Sequence, residues 1–439
     1  MRRLRRPSGG LWAHGDFLKL WTGQSISEFG SQVSQLAIPW VALVTLHASA
    51  FEVATLGTVE FLPFVLLTLP AGVLVDRWRR RTVLIVGDLG RAVLLISIPV
   101  AYAIGHLTLV QLYVVCFLVG IHTVFFDVAY QSYLPSLVDR ESLVEGNSKL
   151  NVTSSGAQLA GPGVAGGLIA VATAPYALFV DAVSFLVSGG FTAAIRKREE
   201  LPEQQGERRH LLVELWEGLS YVLRHRLLLP QAISTGTSNF FTSLSFSILI
   251  VYAHRQLGMS SGLIGLSFSL GAFGWMIGAA KADWLRRLLG VGGASMCGAA
   301  LTGPASLLIP FAPKSFPVPF FVASGALMGF GSVVYNIQQV SLRQSITHER
   351  LQGRMNASMR FLVWGTMPLG SLTGGALAVW IGLRPTLFVG AIGAFSSVLP
   401  IVFSPIRSLR EFPEAEGDPL LRHEPGLVPA AAGPAATDA

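Results

Sequence analysis

Eight ionisable residues stand inside long apolar runs of this 439-residue chain: Glu28, Glu60, Asp88, Arg91, Asp127, Asp181, Lys281 and Arg360. A charge in such surroundings is costly, so each is a functional candidate by default. The chemistry open to them is charge pairing and proton exchange. Glu28 shares a stripe with Gln24, Gln32 and Gln35 at three- and four-residue spacing. If its helix starts near Phe17, Glu28 lies about 16 Å along it at 1.5 Å per residue. That is near the middle of a hydrocarbon core about 30 Å thick. A carboxylate there can stay neutral while its surroundings are dry and release its proton when they wet. The other reading of Glu28 is a hydrogen bond to a neighbouring helix. Glu60 is the second proton-site candidate. Asp88 and Arg91, three apart, can pair on one helix face. Asn239, Asn336, Gln338 and Gln339 either line a polar cavity or bond between helices. His122 reads as a packed, hydrogen-bonded histidine.

The elements that must position these groups are membrane helices. The chain is 51% hydrophobic and 13% charged, with mean hydropathy +0.55. Soluble domains carry about 25% charged residues. Counting runs of roughly 20 apolar residues gives twelve spans, near 17–45, 51–75, 82–104, 107–134, 144–172, 175–195, 227–253, 260–282, 290–312, 317–342, 355–381 and 384–405. Alternate loops carry arginine clusters, at 2–6, 77–81, 196–198 and 286–287 among others. The intervening loops carry only Arg255, Lys314 and Arg384. This asymmetry predicts that both termini are cytoplasmic. It also explains the net charge of +7 as topology rather than nucleic-acid binding. Cys116 and Cys297 lie inside apolar runs, so no disulfide framework is expected.

One charged hairpin is distinctive. Gly72-Val73-Leu74-Val75-Asp76-Arg77-Trp78-Arg79-Arg80-Arg81 sits between two spans. It resembles the loop between helices two and three of the major facilitator superfamily, with Arg79 where that family usually has glycine. Asp76 would face Arg80 one turn on. The resemblance implies that Asp127, near the cytoplasmic end of helix four, joins Asp76 and Arg80 in a gating cluster with Gly72, Arg77 and Arg81. Asp181 is expected near the outer end of helix six, capping, packing or gating there. The segments Phe125–Gln131 and Phe179–Phe185 look like the subgroup of enterobactin exporters and macrolide-efflux proteins.

Internal repetition agrees with this. Asp76 and Asp283 open matching charged loops at an offset of 207 residues. Arg140-Glu141 matches His348-Glu349, Gln131 matches Gln339, and Gly166-Gly167 matches Gly374-Gly375, all at 208. Constant offsets imply two parallel six-helix halves. The expected organisation is an all-α, polytopic fold. An N-terminal half spans 1–195 and a cytoplasmic loop spans 196–226. A C-terminal half spans 227–405 and a disordered tail spans 406–439. Within the loop, residues 212–223 form either an amphipathic helix on the inner leaflet or the start of helix seven.

Gly161-Pro162-Gly163-Val164-Ala165-Gly166-Gly167 contains a Gly-x-Gly-x-x-Gly pattern, but no strand precedes it. It looks instead like the glycine–proline element in helix five of efflux-type facilitators. That implies export; otherwise it is close helix packing without directional meaning. No phosphate loop of the Gly-x-x-x-x-Gly-Lys type, metal-ligand spacing or catalytic nucleophile motif is present. The expectation is therefore no enzyme, cofactor, metal or nucleic-acid partner. It is a monomeric transporter in the cell membrane that exports a small amphipathic organic molecule in exchange for protons. The alternatives are proton-coupled uptake of a nutrient or siderophore, and a ligand sensor without net flux.

Overall fold

The computed structural model describes residues 10–75, 77–197, 199 and 211–413, which are helical with short connections and contain no strand. Helix α1 (Gly15–Trp40) starts where the His14 ring Nδ1 accepts from the Phe17 N–H at 3.0 Å, and a π-turn (Val41–Thr45) lengthens it. Helix α2 (Ala50–Val75) opens on a reciprocal cap between Ser49 and Glu52. There follow α3 (Arg80–Ala103), α4 (Leu109–Leu137), α5 (Leu143–Ala172) and α6 (Ala174–Ala193). The second half contains α8 (Leu228–Arg255), α9 (Ser261–Gly271), α10 (Phe273–Phe311) and α11 (Val318–Ile346). It is completed by α12 (Glu349–Trp364), α13 (Thr366–Trp380), α14 (Leu383–Ser396) and α15 (Leu399–Val402).

Nine stretches of the described chain are long and apolar enough to cross a membrane. One of them, Ser261–Phe311, makes two crossings. A straight helix of α10's 39 residues would reach about 58 Å, twice the bilayer core. It breaks at Gly290, whose φ of +73° only glycine adopts without strain. Beside this glycine, the N–H groups of Val291 and Gly292 bond the carbonyls of Arg410 and Leu409. With the more polar α1 and α8, this gives twelve crossings in two halves.

The expected spans coincide with helices, but several helices run further. Helix α4 continues to Leu137, α11 to Ile346, and α12 begins at Glu349. Apolarity marks where a helix leaves hydrocarbon, not where its backbone ladder stops. The segment Leu211–Arg224 is a helix of its own, α7, broken from α8 at 225–227, where the His225 ring accepts from the Leu227 N–H at 3.1 Å. It packs on α12 through Glu217 and Arg354, 2.6 Å apart, with Val222 buried and Trp216 exposed.

The cores show how the halves meet. At the end away from the charged hairpin, one core joins both halves and includes Trp40, Leu95, Phe185, Tyr252 and Ile264. Toward the charged end the halves build separate cores, one around Phe17, Tyr133 and Leu137, the other around Val222, Leu342 and Met355.

Candidate functional site

Four helices of the first half converge on one guanidinium. Arg91 on α3 is buried, with Nη2 2.6 Å from Asp88 Oδ1. Its guanidinium carbon lies 4.2 Å from the Phe126 ring centroid and 4.1 Å from that of Phe185. Asp181 on α6, 1% exposed, accepts from Ser184 Oγ at 3.0 Å and from Ser34 Oγ of α1. Gly30 allows this approach, because a β-carbon there would strike Ser184 and Asp181. Asp127 on α4 and Glu28 on α1 lie within electrostatic reach of Arg91 and of each other. Four carboxylates, Glu28, Asp88, Asp127 and Asp181, thus surround one permanent cation, with His122 of α4 beside it. They differ in access. Asp88 and Asp181 are sealed, Glu28 is half-buried, and Asp127 is exposed.

The Glu28 stripe is divided by packing. Gln24 Nε2 donates to Glu28 at 3.5 Å, whereas Gln32 is buried against Gly161 of α5, and Gln35 is exposed. Glu60 is exposed on α2, where Gly120 of α4 admits the Glu60 carbonyl. Among the amides, Asn239 donates to the Val363 carbonyl at 2.9 Å and Gln339 to Asn336 at 3.0 Å. Gln231 bonds the Gln339 carbonyl, and Gln338 is buried. Asn239 and Gln231 tie helices together, Gln339 bonds within α11, and only Asn336 is exposed.

The hairpin differs from expectation in its partners. Arg77, Trp78 and Arg79 are exposed. Arg79 has φ −68° and ψ 116°, which any residue adopts, so glycine is not required. Glu199 accepts from the backbone N–H of Arg80 at 3.0 Å and of Arg81 at 3.1 Å, and lies 4.0 Å from Arg80 Nε. A carboxylate at a helix N-terminus suits the dipole. Arg81 Nε donates to the Thr192 carbonyl at 3.2 Å. Asp76 lies outside the described residues. The expected grouping of Asp127 with Arg80 is corrected. Asp127 stands ten residues before the end of α4, about 15 Å up the helix, beside Arg91, Glu28 and Arg360. Asp181 likewise lies deeper than an outer cap, tied to Ser34. Glu199 escaped notice because a lone acid beside an arginine cluster has no periodic signature.

Two seams join the halves, and related glycines build both. Gly166 on α5 packs on the Ser261 carbonyl of α9, and Ser261 Oγ donates to the Gly166 carbonyl at 3.2 Å. Ser269 Oγ accepts from the Gly163 N–H at 2.8 Å, and the Pro162 carbonyl lies against Gly265. In the repeat it is the second glycine of the pair, Gly375 on α13, that packs against Phe51 and Ala54 of α2, while Gly374, the counterpart of Gly166, packs on the Leu244 carbonyl within the second half. A β-carbon on Gly167 would meet open space. Further ties are Thr58 Oγ1 to the Pro368 carbonyl at 3.2 Å, Arg255 Nη2 to the Ala48 carbonyl at 2.7 Å, and the Trp40 and His254 rings 4.9 Å apart. All lie away from the charged end. Toward that end the seams open. A cleft of about 780 Å3 separates α5 from α10, lined by Asn147, Asn151, Leu159 and Met276. A second, of about 300 Å3, lies between α2 and α12, lined by Phe64, Gly72, Asn356, Arg360 and Trp364.

Two pseudo-symmetric six-helix halves, closed against each other at one end and parted at the other, with a charge cluster buried in the first, define a transporter of the major facilitator fold. Residues 11–431 match the family of transmembrane secretion effectors, and the chain belongs to that family. It is 26% identical to the multidrug efflux pump Tap of Mycolicibacterium fortuitum over 83% of this chain and 92% of that one. It is 24% identical to macrolide efflux protein A of Streptococcus pyogenes over 84% and 90%. Among solved structures, a bacterial homologue of the iron transporter ferroportin in its inward-facing state superposes with TM-score 0.72 at 18% identity, covering 88% of this chain and 98% of that one. The outward-facing state of a bacterial ferroportin homologue gives 0.56, also at 18% identity, over 88% and 98%.

Proposed function

We propose that this transporter exports small amphipathic organic molecules, of the drug, antibiotic or siderophore-like kind, in exchange for protons by alternating access. The observation that carries coupling is the charge count around Arg91. Three carboxylates in excess of one guanidinium repel strongly in a poorly polarisable interior. The cluster is relieved by holding protons and releasing them where water reaches. Asp88 and Asp181 are sealed and hold the geometry, so exchange falls to Glu28 and Asp127. The acid cluster belongs to one half alone, so its protonation can bias how that half sits against the other.

Orientation and state rest on two supports. The distribution of arginines favours a cytoplasmic charged end with both termini inside, which makes the opening an inward one. The better superposition on the inward-facing ferroportin homologue agrees. Direction rests on the efflux names of the relatives, since importers and exporters alike pass through an inward-open state. In the opposite state the hairpin with Gly72, Asp76, Arg77, Arg80 and Arg81 closes the cytoplasmic side. The test is flux of two fluorescent amphipathic dyes, one cationic and one carrying a carboxylate, in sealed proteoliposomes with an imposed proton gradient. Wild type should move at least one of them against its gradient, and Glu28→Gln should bind that dye yet ignore the proton gradient. Gradient-driven accumulation by Glu28→Gln, abolished by a protonophore, would remove Glu28 from the coupling site and leave Asp127 and Glu60. Dye moving with the protons rather than against them would mean uptake, and binding without flux in wild type would mean sensing.

A further inference from the structure

The second half presents one arginine, Arg360, to the cleft between α2 and α12, with a second, Arg343, behind it, and no described carboxylate forms an ion pair with either. We propose that Arg360, backed by Arg343, is the anion-recognition site for cargo, selecting organic molecules that carry a carboxylate on an aromatic or apolar body. The inference rests on the transporter reading above and names the cargo class of the same cavity. Arg360 is exposed on α12 and lines the cleft of about 300 Å3 with Phe64, Asn356 and Trp364. Its guanidinium carbon stands 5.3 Å from the Trp364 ring centroid, and Phe64 meets the same ring at 6.3 Å. Arg343 lies in the last turn of α11, where a cation suits the helix dipole. Yet its Nε is buried without a hydrogen-bond partner.

The two guanidiniums are close enough to act on each other, and the sign is repulsive. Neither has an ion pair among the described residues, whereas Arg91, Arg286, Arg287 and Arg354 each do. An arginine without an ion pair in an apolar cleft favours an anion, all the more with a second cation acting on it from behind, and guanidinium recognises a carboxylate with two parallel bonds. Trp364, Phe64 and Phe361 supply the surface for an aromatic or apolar body.

The opposite wall explains release. Asp127, exposed on α4 of the first half, feels the charge of Arg360 without bonding to it. Closure of the charged end shortens that gap. Asp127 then takes the place of the cargo carboxylate on Arg360, so cargo taken up while this end is open is displaced as it closes. A neutral Asp127 does not compete, which ties anion release to the proton cycle.

The experiment uses the purified full chain in phosphatidylcholine nanodiscs, with dansylglycine and its uncharged amide as matched probes. Wild type should bind the acid on the order of tenfold more tightly, as a charge-assisted bond predicts. Arg360→Gln should bring the two affinities together, Arg343→Gln should narrow the ratio, and Arg360→Lys should keep part of it. Benzoate, but not benzamide, should displace dansylglycine from wild type, which tests the site without any variant. Equal affinities in wild type, or a ratio that survives Arg360→Gln, overturns the proposal. Displacement of the probe by phosphatidylglycerol added to the nanodiscs assigns the arginines to a lipid headgroup and overturns it too. Failure is separable from failure of the transport reading. An acid preference without proton-driven flux counts against coupling alone. Coupled flux of a cationic dye without an acid preference counts against the anion site alone.

Discussion

Removing Arg91 tests what holds the first half together. Its Nη2 lies 2.6 Å from Asp88 Oδ1, and the two side chains are 6% and 0% exposed. Breaking such a buried pair from one side costs about 3–5 kcal/mol, because the remaining charge is left without water or partner. Arg91 also lies between Phe126 and Phe185, and each cation–π contact adds about 1 kcal/mol or more. Arg91→Gln should therefore lose about 5–7 kcal/mol, comparable with the whole stability of many domains. Asp88→Asn should lose about 3–5 kcal/mol. The double variant removes both charges at once and leaves two amides three residues apart that can bond each other. It should be less damaged than the singles added together, with a coupling of about 2–3 kcal/mol. The assay is thermal unfolding of the purified variants in detergent, with yield from membranes as a second reading. If the double variant loses the sum of the singles to within about 0.5 kcal/mol, the pair is not what holds α3 in place. If Arg91→Gln melts like wild type but no longer transports, Arg91 is a moving charge and the structural argument fails.

Two further outcomes follow from geometry. Gly166→Leu places a side chain on the Ser261 carbonyl, so it should cost about 1–3 kcal/mol of the closed seam and raise the reactivity of a cysteine at position 48. Gly167→Leu, facing open space, should leave that reactivity as in wild type, and equal effects at both glycines would refute the seam assignment. Asp16, at the mouth of α1, accepts from the N–H groups of Arg196 and Lys197 at 3.2 and 3.0 Å and pairs with Lys19 at 2.8 Å. Burial acts to raise its pKa, but Lys19 and the two N–H groups outweigh it and hold the carboxyl below its ordinary 3.8. A depressed folded value stabilises above the unfolded value and is lost as pH falls through the folded one. The difference in melting temperature between wild type and Asp16→Asn should therefore be full at neutral pH and vanish well below pH 3.8. A difference that persists in acid would show that the carboxylate's charge plays no part.

What the sequence disclosed was whatever lies along a single helix or recurs at a fixed interval. Span positions followed from apolar runs, and the pairing of Asp88 with Arg91 followed from their spacing of three. The glycine repeat at 166–167 and 374–375 meets a seam in each half, but through its first member in one, Gly166, and its second in the other, Gly375. The meeting of Glu28, Asp127 and Asp181 around Arg91 was not legible. It depends on the relative heights of four helices, and an error of one turn at a helix end moves a residue by about 5 Å. The grouping of Asp127 with the hairpin, implied by the family resemblance, fails because α4 runs on to Leu137 and sets Asp127 ten residues from its end.

The same duplication shows what divergence has done. At the offset of 208 that relates the glycines, Glu28, Asp88, Arg91, Asp127 and Asp181 fall on Gly236, Met296, Ala299, Tyr335 and Val389. Conversely, Arg360 and Arg343 fall on Val152 and Pro135. Neither charge set has a copy in the other half, although the packing glycines do. Packing is what both halves need, since each must close a seam against the other. Charge is needed once for each job. A symmetric pair of acid clusters would bind protons on both walls and give no difference between the halves for a proton to act on. In the cycle proposed above, acids on one wall and arginines on the other let a single proton on Asp127 decide whether the walls attract. For that proposal, asymmetry of charge over a symmetric scaffold is the physical condition for coupling a proton to the closing of the charged end.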